Sequence, residues 1–224
     1  MVSTTLDDPK LERILKGLHS HDRKNHWNFM RAAVPFLIDQ SLGRKTPQAV
    51  HAKRDRKIVM SITPAAGQLI YLTARAIGAK RIVEFGSSFG VSTLYLAAAV
   101  RDNGGGIVIG SELEPSKVEE ARKNIAGANL TEFADIRAGD AVETLSDPGG
   151  LVDMVLLDGA KELYFEVLQK LLPHIRTGAV VLADDAILFR KTMASYLQFV
   201  RNSSNDFRSV TLPLGAGLEY SVKL

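Results

Sequence analysis

The order of strand-like and helix-like segments predicts a doubly wound α/β domain with a mostly parallel sheet. From Lys80 onward, short apolar runs alternate with helical stretches, and each parallel return between neighbouring strands requires a crossover helix. The apolar runs, such as Met154-Val155-Leu156-Leu157, suit strands buried on both faces. The end of the chain differs. Phe207–Leu212 and Leu218–Leu224 are extended runs joined by Pro213-Leu214-Gly215-Ala216-Gly217, which reads as an antiparallel hairpin closing one sheet edge.

Taken in order, residues 9 to about 40 read as helical, with Leu11, Ile14, Leu15 and Leu18 at helical spacing and a second apolar group around Trp27, Phe29 and Met30 that Pro35 interrupts. Residues 41–57 form a polar, basic connection. A helix then opens at Thr63-Pro64, with proline suited to its first turn, and Gly78 ends it. The expected strands are 81–85, 107–111, 134–138, 153–157 and 179–183. Between and after them lie helices near 91–100, 115–126, 141–145, 163–171 and 188–201. We therefore divide the chain into an N-terminal helical extension, residues 1–58, and a main domain, residues 59–224.

With 224 residues, 46% hydrophobic and 24% charged, the chain has the composition of one globular domain and not of a disordered one. It has no cysteine, which excludes disulfides, thiolate nucleophiles and cysteine-bound zinc, so any metal must sit on oxygen or imidazole. No apolar run reaches membrane-spanning length, and Met1–Asp8 lacks the pattern of a secretory signal. A cytoplasmic protein is the expectation. The net charge is only +3. The one dense basic cluster, Lys53-Arg54-Asp55-Arg56-Lys57, is either a solvated face or a phosphate contact.

The chemistry centres on Arg81-Ile82-Val83-Glu84-Phe85-Gly86-Ser87-Ser88-Phe89-Gly90-Val91-Ser92, a strand, a glycine turn and a helix start. Such a junction offers backbone N–H groups at the carboxyl end of a strand, where open α/β sheets bind small ligands. Glu112, after the second strand, can accept both hydroxyls of a ribose. Glu114, just before Pro115, reads as a helix N-terminal acid. A dinucleotide needs G-x-G-x-x-G, and the central glycine is missing here. Glu84 would repel a pyrophosphate but tolerate an ammonium and a sulfonium, so the electrostatics favour S-adenosylmethionine over NAD.

Glu84-Phe85-Gly86, Gly90-Val91-Ser92, Glu112 with Pro115, Gly139-Asp140-Ala141, Asp158 with Lys161, and Ala183-Asp184-Asp185 follow one another in an order that resembles the cation-dependent class I S-adenosylmethionine O-methyltransferases, the catechol and caffeoyl-CoA enzymes and their bacterial relatives. The resemblance runs from about Val59 to the C-terminus. It implies a Rossmann-like seven-stranded sheet and a homodimer. It also implies cofactor contacts from Met60, Ser61, Glu84, the Gly86-Ser87 turn, Ser92, Glu112, Asp140, Ala141 and Asp158. Asp140 reads equally as the N-cap of the helix that starts at Ala141.

Asp158 ends the fourth strand and Asp184-Asp185 the fifth, so three carboxylates should converge beside the cofactor. Their mutual repulsion calls for a hard divalent ion, Mg²⁺ first, with Mn²⁺ or Ca²⁺ as alternatives. Lys161 is the candidate base: partly desolvated next to a divalent cation, its charged form is disfavoured. Two features depart from the family. Gly159-Ala160 stands where the mammalian catechol enzymes carry bulky residues, and Asp185 where many members have asparagine. The expected reaction is methylation of one hydroxyl of a small catechol-like aromatic diol. Alternatives are O-methylation of a hydroxylated tRNA nucleoside, and a non-catalytic cofactor-binding protein. Trp27 and Phe29 are either a lid over the site or core and dimer contacts. Glu219 is expected to be structural.

Overall fold

The computed structural model describes residues 4–20 and 62–224. Met60, Ser61, Trp27, Phe29 and the Lys53–Lys57 cluster lie outside them. Seven strands, β1 (Arg81–Phe85), β2 (Ile107–Glu112), β3 (Ala134–Ala138), β4 (Val152–Leu157), β5 (Ile175–Ala183), β6 (Phe207–Leu212) and β7 (Leu218–Lys223), form one sheet in the order β3-β2-β1-β4-β5-β7-β6. The first five run parallel, and β7 lies antiparallel between β5 and β6. The strand order reverses at β1 and β4, and their carboxyl ends are where an open sheet leaves room for a ligand.

Alternation along the strands explains their continuous apolar runs. Ile82, Met154, Leu156, Val180 and Leu182 pack on one face, with helices α1 (residues 9–20), α2 (Pro64–Ala76), α3 (Val91–Asp102) and α4 (Pro115–Gly127). Val83, Phe85, Val155, Leu157 and Val181 pack on the other, with α5 (Ala141–Thr144), α6 (Tyr164–Leu171) and α7 (Ala194–Arg201). Successive strand residues point to opposite faces, so a sheet covered on both sides needs apolar residues at every position.

Local signals set the helix starts. Thr63 caps α2 by accepting the Ala66 N–H at 3.2 Å, with Pro64 in the first turn. Glu114 caps α4, accepting from the Ser116 N–H and hydroxyl, as expected for that acid. One start differs from expectation: α7 begins at Ala194, and residues 184–193 are turns. The amides of Ala186, Ile187 and Leu188 donate instead to the hairpin turn, at the carbonyls of Gly217 and Ala216.

The described part of the N-terminal extension shares the main core. Leu11 and Leu15 are buried in it, and the Thr5 N–H donates to both carboxylate oxygens of Asp102, which also accepts from the Tyr71 hydroxyl at 2.7 Å. No described helix is long and apolar enough to cross a membrane.

Candidate active site

The turn after β1 is built around one buried acid. Glu84 is fully buried, and its Oε2 accepts from the hydroxyls of Ser87, at 2.7 Å, and Thr93. Its Oε1 is buried with no hydrogen-bond partner. Burial pushes the carboxyl above its ordinary value, while the hydroxyls of Ser92, Thr93 and Ser87 pull the other way. A buried carboxylate oxygen without a partner is costly in the free protein and is a ready acceptor for a cationic group. The Ser88 hydroxyl oxygen close by is also buried and unpartnered.

Gly86, at φ +94°, carries the chain past the end of β4: a Cβ there would sit 2.7 Å from the Asp158 carbonyl. The Gly86 and Ser87 amides both donate to the Ser111 carbonyl at 3.0 Å, so they are engaged in holding the turn against β2. Ser92 lies in the first turn of α3, whose N-cap is Gly90 and has no side chain to satisfy the first amides. Those amides and the Ser92 hydroxyl are the donors suited to an anionic group there.

Glu112 ends β2 with its carboxylate oriented by two amides, Ser88 N–H at 2.9 Å and Glu114 N–H at 2.9 Å. Each oxygen keeps a second lone pair for a ligand. Asp140 is exposed and caps α5, accepting from the Val142 N–H at 2.8 Å, while Ala141 is buried. The N-cap role of Asp140 is thus present in the structure.

The second half of the site stands at the carboxyl ends of β4 and β5. The Asp158 N–H donates to the Phe85 carbonyl and the Asp184 N–H to the Leu157 carbonyl, so the strand ladders themselves bring the acids together. One carboxylate oxygen from each of Asp158, Asp184 and Asp185 lies within 4.8 Å of the others. Burial, and after it the neighbouring acids, hold Asp158 well above the usual carboxylate range despite Lys161, and push Asp184 up to about 6. Such a donor set of hard oxygens in mutual repulsion fits a divalent cation with oxygen ligands.

Lys161 reaches into this cluster. Its Nζ lies 3.2 Å from Asp158, 2.9 Å from Asp185 and 2.8 Å from the Tyr164 hydroxyl, and its side chain is only 11% exposed. Burial disfavours the ammonium, but Tyr164, Asp158 and Asp185 outweigh it and hold the lysine well above its ordinary value.

The comparisons with known proteins agree with this geometry. The methyltransferase-domain family matches residues 83–186, the span from β1 through the acidic pair. That match covers just under half of the chain. It is 35% identical over 132 residues to the catechol O-methyltransferase of Niastella koreensis, covering 57% of this chain and 59% of that one. It is 32% identical over 129 residues to the catechol O-methyltransferase of Mycobacterium tuberculosis, covering 57% and 58%. The chain thus spans about three fifths of the length of these curated relatives. The O-methyltransferase from Bacillus cereus in complex with SAH superposes with a TM-score of 0.69 at 20% identity, covering 86% of this chain and 97% of that one. The Streptomyces achromogenes O-methyltransferase in complex with SAM gives 0.68 at 24%, covering 85% and 96%. These two share the fold.

Within residues 83–186, two residues outside the sequence motifs belong to the site. Tyr164 is fully buried, three residues after Lys161, and Thr93 donates to Glu84. The spacing of three on a helical turn was the available signal for Tyr164. Nothing local marks Thr93. Glu219 is structural, as expected: it is buried in a two-pronged pair with Arg201, at 2.7 and 2.8 Å, and accepts from Ser209 and Thr211.

Proposed function

We propose that this protein transfers the methyl group of S-adenosylmethionine to one hydroxyl of a small catechol-like aromatic diol, with a divalent cation, Mg²⁺ first, held by Asp158, Asp184 and Asp185. One observation carries the reading: the Glu84–Ser92 turn and the acidic cluster share a wall, because Gly86 packs on the backbone of Asp158. A methyl donor seated in the turn therefore lies next to whatever the acidic cluster holds. The catechol enzymes among the similar proteins support the acceptor class.

In this reading the unpartnered Glu84 Oε1 takes the donor's ammonium, the Ser92 hydroxyl and the first amides of α3 take its carboxylate, and Glu112 takes the ribose hydroxyls. Asp140 and Ala141 border the adenine; Met60 and Ser61, which the family resemblance adds to the cofactor contacts, lie outside the described residues. Bound among the three carboxylates, the cation would polarise the acceptor hydroxyl and lower its pKa. With those carboxylates committed, Lys161 loses two of the three partners that hold its proton, and its burial turns it towards accepting the proton of the acceptor hydroxyl. Tyr164 keeps the lysine oriented. The acceptor oxygen displaces the sulfonium methyl in line. The sulfur keeps the bonding pair, the proton goes to Lys161, and a methyl ether and S-adenosylhomocysteine remain. Holding both reactants in contact contributes roughly 7–11 kcal/mol in favourable cases.

The test is methyl transfer to catechol with Mg²⁺, repeated with a chelator and with Lys161→Ala. Product should form in the first case, vanish on chelation, and fall by roughly 10²- to 10⁴-fold in the variant. Transfer at full rate under both challenges would sink the mechanism.

A further inference from the structure

The acidic pair is gripped on both sides by the C-terminal hairpin. On the N-terminal side, Ala183 pairs in register with Glu219 of β7. On the C-terminal side, the Ala186 N–H donates to the Gly217 carbonyl at 2.8 Å, and the Ile187 and Leu188 N–H groups both donate to the Ala216 carbonyl, at 3.0 and 3.1 Å. Between these two grips stand Asp184 and Asp185. Asp185 has φ +67°, in the left-handed region that few residues other than glycine adopt, aspartate and asparagine more often than most.

Gly217 makes the grip sterically possible. Its φ is +99°, and a Cβ there would lie 2.6 Å from the Ile187 nitrogen and 2.4 Å from its Cγ1. The backbone nitrogen cannot give way without moving the segment that follows Asp185. The base of the hairpin is locked in turn, since Glu219 holds Arg201 of α7, Ser209 and Thr211 of β6.

We propose that the turn between β6 and β7 is a clamp that sets the geometry of Asp184 and Asp185 for the cation, with Gly217 as its positioning residue. The inference rests on the cation reading given above. Coupling between two sites is reciprocal, so if the clamp shapes the cation site, cation binding must tighten the clamp.

Mn²⁺ titrated into the protein and followed by the EPR signal of the free ion measures the site directly, with SAH affinity measured in parallel. Gly217→Ala should weaken Mn²⁺ binding roughly 10- to 100-fold, the range seen when groups that orient metal ligands are removed, and leave SAH affinity unchanged. Gly215→Ala is the control. It sits in the same turn at φ +60°, where a Cβ would meet nothing within 4 Å, and it should bind Mn²⁺ like the parent. Equal Mn²⁺ affinity in parent and Gly217→Ala, or equal loss in both variants, overturns the clamp alone. A parent that binds no Mn²⁺ overturns the cation reading and the clamp with it. Should Gly217→Ala not fold, amide exchange of the parent decides. Exchange at Ala186, Ile187 and Leu188 that slows on adding Mg²⁺ supports the clamp, and unchanged exchange overturns it.

Discussion

The Phe85 ring occupies the space where a side chain at Gly159 would begin. A Cβ on Gly159 would lie 2.4 Å from Phe85 Cε2, and the same ring stacks edge-on against Tyr164 at 6.0 Å. The small residue beside Asp158 is thus explained: the Phe85 ring leaves no room for a side chain at position 159. Gly159→Ala should destabilise the fold by roughly 1–3 kcal/mol through overpacking. Phe85→Leu in the same chain should restore part of that loss, giving a favourable coupling energy in a double-mutant cycle of denaturant unfolding. Strict additivity of the two changes would show that the ring and the glycine do not compete for space.

Glu84→Gln should separate binding from stability. The carboxylate is fully buried and held above its ordinary value, so an amide of the same shape should leave thermal stability equal or slightly higher. SAH keeps the ammonium group, and loss of the charged partner at Oε1 should cost about 1.5–3 kcal/mol of its binding, roughly 10- to 100-fold by calorimetry. Unchanged SAH affinity would remove Glu84 from the cofactor site.

Asp184 makes cation-free stability depend on pH in a definite direction. Its folded-state pKa is raised from 3.8 to about 6, so the folded protein holds that proton more tightly than the unfolded chain does. Stability is therefore greatest below the unfolded value and declines as pH rises through the window between them, by roughly 1–3 kcal/mol. Thermal melts in chelator from pH 4 to pH 6 should show this decline against other titrating groups, and Asp184→Asn should flatten it. With Mg²⁺ the slope should reverse, because protons then compete with the cation. A slope in chelator that is the same in parent and variant would exclude Asp184 as its source.

Glu219 titrates in the opposite sense. Burial raises its pKa, but Arg201, Ser209 and Thr211 outweigh burial and hold it below its ordinary value. The stability it contributes is present above the unfolded value near 4.5 and is lost as pH falls through the folded one. Glu219→Gln should cost roughly 2–3 kcal/mol at neutral pH, below the full penalty for breaking a buried pair because Arg201 is 36% exposed and can turn to water. Denaturant unfolding of the variant at pH 7 and pH 4 should show the difference from the parent shrinking in acid.

Most of the frame was present in the sequence because it depends on short-range rules. Uninterrupted apolar strands, Pro64 and Pro115 in first turns, and the glycine-bearing turn of residues 213–217 each specify local geometry, and alternating strands and helices leave few ways to cover both faces of a sheet. The strand ends follow from the same logic, so Glu84, Glu112, Asp158, Asp184 and Asp185 could be placed at one pole of the molecule. Tertiary structure alone decided what surrounds them. The hold of the hairpin carbonyls on the amides of Ala186, Ile187 and Leu188 joins segments about thirty residues apart in the chain. The engaged amides of Gly86 and Ser87, the space that Phe85 fills over Gly159, and the ion pair of Lys161 with Asp185 all join segments distant in the chain. A sequence pattern reports which face or end a residue occupies. The energy of a buried charge depends on everything within a few ångströms of it, and that neighbourhood exists only once the chain has folded.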